Sequence, residues 1–250
     1  MIGIVGGVGP YSGLDLLKKV FDNTLANSDQ EYLDAVLISA SSKIKDRTEY
    51  LIGKIKENPA IAIAEVLLKL QNAGVTVAGI PCNTAHSEKI FNVIQSELKK
   101  AGSTVNLLNM IEETANFIAS NHPTIIKIGV LSTTGTYKSG IYAKALQSKG
   151  YEVILPSLDM QENLIHPSIY HPIYGIKTVS NPIHPEARKN LLQGFSFLKE
   201  QGAQAVILGC TEIPLAITEK EIDKMIIIDP TTVLARALIQ FSNPNKLKSL

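Results

Sequence analysis

Two cysteines, the only two in the chain, sit in near-identical frames 128 residues apart. The first frame runs Gly74-Val75-Thr76-Val77-Ala78-Gly79-Ile80-Pro81-Cys82-Asn83-Thr84. The second runs Gly202-Ala203-Gln204-Ala205-Val206-Ile207-Leu208-Gly209-Cys210-Thr211-Glu212. Each has a glycine, an apolar run of strand length, then Cys followed at once by a polar residue. Gly3-Ile4-Val5-Gly6 also matches Gly129-Val130-Leu131-Ser132, at an offset of 126. Two such similar offsets predict a duplicated unit: two similar lobes related by a pseudo-twofold axis. The boundary is expected near Ser103, with residues 1–103 plus 229–250 in one lobe and 104–228 in the other.

Each lobe reads as α/β. Short, β-branched, nearly continuous apolar runs predict strands over 2–5, 35–39, 77–80, 105–108, 127–131, 152–155, 205–208 and 225–228, of the kind buried on both faces of a parallel sheet. Helical patterns separate them. Leu14, Leu17, Lys18, Phe21 and Leu25 trace one helix face after Pro10, a residue suited to a first helical turn. Further helices are expected over 61–72, closed by Gly74, over 88–100, over 188–201 and over 231–241, the last packing back on the first lobe. Strands alternating with helices of this length mean βαβ units and a parallel sheet flanked by helices. Residues 156–186 hold five prolines and three histidines and read as a long irregular segment, as lids and binding loops do. The tail 242–250 reads as polar and frayed.

The totals exclude several classes of function. A hydrophobic content of 45% with 19% charged residues is that of a soluble globular protein. The net charge of +1 offers no electrostatic footprint for nucleic acid or acidic lipid. No apolar run approaches the ~20 residues that span a bilayer. The opening Met1-Ile2-Gly3-Ile4-Val5 reads as a strand with no basic region before it, so no signal peptide is expected. With only two cysteines, the expectation is a reducing, cytoplasmic compartment and no permanent disulfide.

Cys82 and Cys210 each close a strand, and ligands bind at that edge of a parallel sheet. A thiol beside a helix N-terminus has a lowered pKa, and Asn83 and Thr211 are residues suited to cap the following helix. The bland alternative, a small buried hydrophobe, is common for one free cysteine and unconvincing for two in matched frames. Gly6-Gly7-Val8-Gly9-Pro10 follows the first strand, and its backbone N–H groups suit a carboxylate or phosphate. It departs from a dinucleotide fingerprint: Ser12 stands where a third glycine belongs, and no acidic residue ends the second strand. Asp46-Arg47-Thr48 offers a guanidinium able to clamp a carboxylate, although the triplet alone equally suits a solvated loop. Lys177 is as ambiguous by itself. Thr133 and Thr134, in Ser132-Thr133-Thr134-Gly135-Thr136, occupy the place in the second half that Gly6-Gly7 occupies in the first. His86 lies one helical turn beyond Cys82, where it would tune the thiol or cap the helix. His166, His171 and His184 lack a compact ligand spacing, so no metal site is expected.

At these residues the chain resembles the aspartate/glutamate racemase superfamily, in its aspartate racemase branch. The matching stretches are Gly6-Gly7-Val8-Gly9-Pro10, Asp46-Arg47-Thr48, Ile80-Pro81-Cys82-Asn83-Thr84-Ala85-His86, Met110-Ile111-Glu112-Glu113-Thr114, Thr133-Thr134-Gly135-Thr136, Gly209-Cys210-Thr211-Glu212 and Ile228-Asp229-Pro230. They cover essentially the whole chain. The glutamate racemase branch typically has Asp-Ser-Gly after the first strand and His after the second Cys-Thr. Here Gly-Gly-Val-Gly-Pro and Glu212 stand in those places. The resemblance implies a cofactor-independent amino-acid racemase, a homodimer, with a site between its lobes and Cys82 and Cys210 as the catalytic pair. It implies that Asn83, Thr84, Thr133 and Thr211 hold the α-carboxylate and amine, with Val8 beside them. Arg47 and Lys177 fall to the side-chain carboxylate, and His86 and Glu212 to tuning. Two departures bear on substrate choice: Ser41-Ser42-Lys43-Ile44-Lys45 replaces a proline-containing element before Asp46, and the proline-rich segment is long.

The chemistry agrees with the resemblance on independent grounds. Inverting a Cα centre needs a base on one face and an acid on the other, and a thiolate with a thiol supplies both. Another reaction of the superfamily on a small carboxylate, isomerisation or decarboxylation, is the rival enzyme reading. The decarboxylases use one catalytic cysteine, so the presence of both weighs against them. A two-lobed binding protein without turnover is the rival from another class.

Overall fold

The computed structural model describes residues 1–250. The chain divides into two compact units, Met1–Glu113 with Thr231–Leu250, and Thr114–Pro230. The first unit therefore runs past the expected boundary at Ser103. The reason lies in pairing and packing: Asn106 and Leu107 add a strand to the first sheet, and Met110 is fully buried in its core.

The first sheet contains β1 (Ile2–Gly6), β2 (Ala35–Ser39), β3 (Val77–Gly79) and β4 (Asn106–Leu107), all parallel, in the order β2-β1-β3-β4. The second contains β5 (Lys127–Ser132), β6 (Glu152–Ile154), β7 (Ala205–Gly209), β8 (Glu221–Ile222) and β9 (Met225–Ile228), in the order β6-β5-β7-β9-β8. Its first four strands repeat the order of the first sheet. All eight expected strands are present. The ninth, β8, pairs antiparallel with β9 through a turn in which Asp223 and Lys224 both have positive φ. Asp-Lys lacks the glycine that usually announces such a turn, and two residues are too few for a periodic signal. β2 is an edge strand and only partly buried, not covered on both faces.

Helices cover both faces of the first sheet. In β1 the two-residue period sends Ile2 and Ile4 to one core and Val5 to another. Val5 packs with α3 (Ala60–Asn72) and α4 (Glu88–Lys100) through Leu67, Leu70 and Ile94. Ile2 and Ile4 pack with α1 (Pro10–Asp22) and the terminal helix Pro230–Ser242 through Leu16, Val20, Leu234 and Leu238. Gly79 permits that close approach, since a Cβ there would lie 3.0 Å from Leu234 Cδ2.

Three expectations are corrected. In α1 the face turned to the sheet is Ser12, Gly13, Leu16 and Val20; Leu14 and Phe21 point to solvent, as does Leu25 just beyond the helix. Small residues sit against the sheet, and of the apolar stripe Leu17 packs on the core while Leu14 and Phe21 do not. The segment 156–186 is not irregular throughout. Ser157 accepts from the Met160 N–H and starts a continuous helical stretch from Leu158 to Tyr170. A π-turn over Gln161–Ile165 precedes Pro167, whose ring nitrogen cannot donate to the preceding turn. His184 caps the long helix Pro185–Glu200 by accepting from the Glu186 N–H. The tail is tied down as well: Leu247 pairs with Thr24, and Arg236 donates to the Lys248 carbonyl across 2.9 Å.

Candidate active site

In doubly wound sheets the crevice for a ligand opens beyond the carboxyl ends of the two strands where the order reverses. In the first unit these strands are β1 and β3, and in the second β5 and β7. The glycine loop leaves β1 and Cys82 follows β3. Thr133 follows β5 and Cys210 follows β7. The glycine loop, Cys82, Thr133 and Cys210 thus all lie at these strand ends.

Cys82 is nearly buried, 7% exposed, and opens a short turn of 3₁₀-helix over Asn83–His86. Asn83 and Thr84 are buried in that turn, whose N-cap position is Cys82, while Ser87 holds the N-cap position of α4. The expected cap is absent because Asn83 lies inside the turn. His86 Nδ1 lies 2.9 Å from the Cys82 carbonyl oxygen, and its ring stacks on Phe91 at 5.0 Å. Burial lowers the His86 pKa from 6.5 to about 4, so the ring is neutral. A carbonyl only accepts, so Nδ1 carries the hydrogen. His86 therefore braces the Cys82 backbone.

The glycine loop is held by conformation and by Arg47. Gly7 has a φ of 83°, and a Cβ there would fall 2.5 Å from the Ser41 backbone nitrogen. Only glycine fits such a place. Pro10 occupies the first turn of α1. Val8, 1% exposed, presents its carbonyl oxygen to Arg47 Nη2. Arg47 Nη1 also donates to the Lys45 carbonyl across 3.1 Å. Arg47 opens α2 (Arg47–Leu51), a helix capped by Asp46, which accepts from the Glu49 N–H. The triplet is thus a cap followed by a buried guanidinium, not a solvated loop.

In the second unit Thr133 caps α6 (Thr134–Ser139), accepting from the Thr136 N–H across 3.3 Å. Cys210, 5% exposed, donates from Sγ to Glu212 Oε2 across 3.0 Å. The other carboxylate oxygen, Oε1, accepts from Lys177 Nζ across 2.6 Å. The Glu212 side chain is 4% exposed, so its charge requires such a partner. Lys177 Nζ also lies 5.5 Å from the centre of the Tyr170 ring, which stacks on His166 at 4.7 Å. The His166 Nδ1 in turn accepts from the Thr134 N–H across 3.4 Å. The proline-rich segment therefore builds the surroundings of Cys210.

Burial raises the Cys210 pKa well above the ordinary thiol value, and the Glu212 charge adds to the rise, with Lys177 opposing it. This reverses the expectation of a thiolate favoured by a helix end. The helix that follows, Ile213–Ala216, has four residues and no side-chain cap, and Thr211 instead hydrogen-bonds Glu212 Oε2. Cys210 is a protonated donor at neutral pH. The sequence reading missed Tyr142, a 2% exposed phenol whose pKa burial drives well above 10. It bonds to Thr114, and the charge of Asp229 adds to the rise. Nothing in its local sequence marks it.

Val8 and Arg47 are brought together in the first unit, beside the turn of Cys82, Asn83, Thr84 and His86. Cys210, Thr211, Glu212 and Lys177 are brought together in the second. No three or more His, Cys, Asp or Glu side chains group as a metal would require. No helix is long and apolar enough to cross a membrane.

The model of the Asp/Glu/Hydantoin racemase family matches residues 5–238. The chain is 29% identical over 243 residues to the broad specificity amino-acid racemase RacX of Bacillus subtilis, covering 96% of each. It is 31% identical over 247 residues to a glutamate racemase of Carboxydothermus hydrogenoformans, covering 96% of this chain and 79% of that protein. Among solved structures, the Picrophilus torridus aspartate racemase superposes with a TM-score of 0.80 at 28% identity, covering 99% and 95% of the two chains. A model that spans nearly the whole chain decides the matter: the chain belongs to the Asp/Glu/hydantoin racemase family, in its aspartate racemase branch, and is an amino-acid racemase.

Proposed function

We propose that this enzyme racemises aspartate in preference to other amino acids, without pyridoxal phosphate, using Cys82 and Cys210 as a thiolate/thiol pair. The observation that carries the reading is the equivalence of the two cysteines, each following the third strand of the same strand order. In one direction the Cys82 thiolate takes the Cα proton and becomes a thiol. Cys210 then gives its Sγ proton to the opposite face of the carbanion and becomes a thiolate. The reverse direction exchanges the roles. Asn83, Thr84, Thr133 and Thr211 are the donors assigned to the α-carboxylate and amine, where they offset developing charge. Between turnovers Glu212 relays a proton between solvent and Cys210 Sγ, resetting a thiolate that has given its proton to carbon or a thiol that has taken one up, and Lys177 keeps Glu212 ionised when it holds no proton. The same reading makes the enzyme a cytoplasmic homodimer.

The preference for aspartate rests on Arg47 as the cation for the distal carboxylate and on the likeness to an aspartate racemase. Lys177 supports it less, because Glu212 already partly neutralises it at 2.6 Å. That pairing, with the broad specificity of the RacX relative, favours a second reading in which neutral amino acids also turn over. Incubating the protein with single L-amino acids in deuterated water tests both readings, with chiral chromatography and mass spectrometry to follow. Racemisation of aspartate with deuterium at Cα is expected. Each of Cys82→Ser and Cys210→Ser should abolish racemisation while retaining exchange on one enantiomer. Full racemase activity in either serine variant would sink the two-thiol mechanism. Equal rates for alanine and aspartate would sink the preference alone.

A further inference from the structure

The outer face of α1 is an apolar seam with no partner within the chain. Tyr11, Leu14, Lys18 and Phe21 follow one another along the helix at spacings of three and four residues, and Leu25 lies three residues past its end at Asp22. Tyr11 is 45% exposed, Leu14 54%, Phe21 36% and Leu25 47%. A narrow stripe of Tyr11, Leu14 and Phe21 around Lys18 suits packing on another helix better than the wider face a helix turns to a sheet. The sheet-facing side of α1 is already occupied by Leu16 and Val20. Phe21 meets Tyr32 edge to face at 5.6 Å, which widens the seam with a second exposed ring.

We propose that this seam is the interface between two copies of the chain, pairing α1 with α1 antiparallel about a twofold axis near Lys18. An isologous pairing makes one patch its own complement. With the axis near residue 18, Leu14 of each copy comes opposite Phe21 of the other, and Tyr11 lies toward the end of the partner helix, beyond which Leu25 follows. The charges suit the same arrangement. Lys18 and Asp22 form an exposed pair at 2.5 Å along the seam, so each copy presents both signs to its twin. Neither brings an unmatched charge to the contact. The five large apolar side chains offer on the order of 400 Å² per copy, at ~150–250 Å² for a whole aromatic side chain. That is about half of the roughly 800 Å² per partner in a standard interface, which leaves the remainder to a polar rim. The seam begins at Tyr11, three residues after Val8, so pairing would also fix the helix that carries the glycine loop.

This surface gives an interface to the homodimer of the proposed function, and it is tested by mass in solution, independently of racemase activity. Light scattering on a sizing column should give the dimer mass for the full chain at about 50 µM. Leu14→Glu and Phe21→Glu should each shift it to the monomer, with unchanged circular dichroism, because neither side chain is buried in the folded chain. Under oxidation Lys18→Cys should form a disulfide-linked dimer that the parent chain does not. A monomeric parent chain at 50 µM would overturn the proposal, whether the seam then receives a different protein or none. So would a dimer that survives both glutamate variants and gives no Lys18→Cys cross-link.

Discussion

The Cys210 thiol and the Glu212 carboxylate are joined by a 3.0 Å hydrogen bond inside the protein, with Lys177 2.6 Å from the other carboxylate oxygen. A thiol that donates to an anion is harder to ionise, because ionisation removes the donor and sets two negative charges together. Burial, then the Glu212 charge, raise the Cys210 pKa, and Lys177 lowers it. Glu212→Gln should therefore move Cys210 ionisation to lower pH, and Lys177→Met to higher pH. The pH midpoint of iodoacetamide labelling at Cys210, read by mass spectrometry, checks both signs. Glu212→Gln should also lower kcat, since Cys210 loses the group that relays protons to and from it between turnovers. A midpoint that rises in Glu212→Gln contradicts this account of the site.

His86 gives the fold an acid-sensitive brace. Its folded pKa is about 4 against 6.5 in the ordinary state. The depressed value means that its contribution is intact above pH 6.5. Below that the unfolded chain takes up a proton that the folded chain refuses. Stability should fall by ~1.4 kcal/mol per pH unit until about pH 4, roughly 3 kcal/mol in all, and then level off for this group. His86→Gln removes the titrating ring and should flatten that part of the profile, at the cost of lower stability at pH 7. Thermal melts of both proteins from pH 7 to pH 4 make the comparison. Parallel curves would mean that His86 is not held neutral.

The sheets and the two strand-end cysteines were legible because they depend on local signals. Eight strands show as β-branched apolar runs, and the frames around Cys82 and Cys210 repeat. The exposure of Leu14 and Phe21 was not legible, since a three-four stripe looks the same whether it meets a sheet or another chain. The state of Cys210 was hidden for a different reason. Its neighbour Glu212 is adjacent in sequence, but the partner Lys177 lies 35 residues away in a segment whose prolines disguise a helix. Periodicity carries no information on such pairing. Tyr142 shows the same limit, because its bond to Thr114 and the charge near it exist only after folding.

Gly7 ties the glycine loop to the second strand. At a φ of 83° any side chain is strained, and the added Cβ would lie 2.5 Å from Ser41 N and 2.6 Å from Ala40 N. Gly7→Ala should cost at least about 1–2 kcal/mol from left-handed backbone alone, and more as the backbone of Ser41 shifts. A melting point lower by several degrees is expected. The same shift moves the Val8 carbonyl off Arg47, so the KM for aspartate should rise. A variant with parent-like melting and KM would show that the loop has room that the structure denies it.

Arg47 separates substrate recognition from loop support. Its guanidinium donates to the carbonyls of Val8 and Lys45, and it is assigned here to the distal carboxylate of the substrate as well. A charge-assisted contact in a closed site contributes about 1.5–3 kcal/mol. Arg47→Ala should then lower kcat/KM for aspartate by roughly 10–150-fold. Loop support is shared by every substrate, whereas the distal carboxylate belongs only to acidic ones. If Arg47 reads that carboxylate, the loss for aspartate must exceed the loss for alanine measured on the same protein. Arg47→Lys should recover part of the aspartate rate, because an ammonium keeps the charge while losing the two-pronged donor. Equal losses for aspartate and alanine would make Arg47 a residue that only positions the Val8 loop, and the preference for aspartate would have to come from elsewhere in the site.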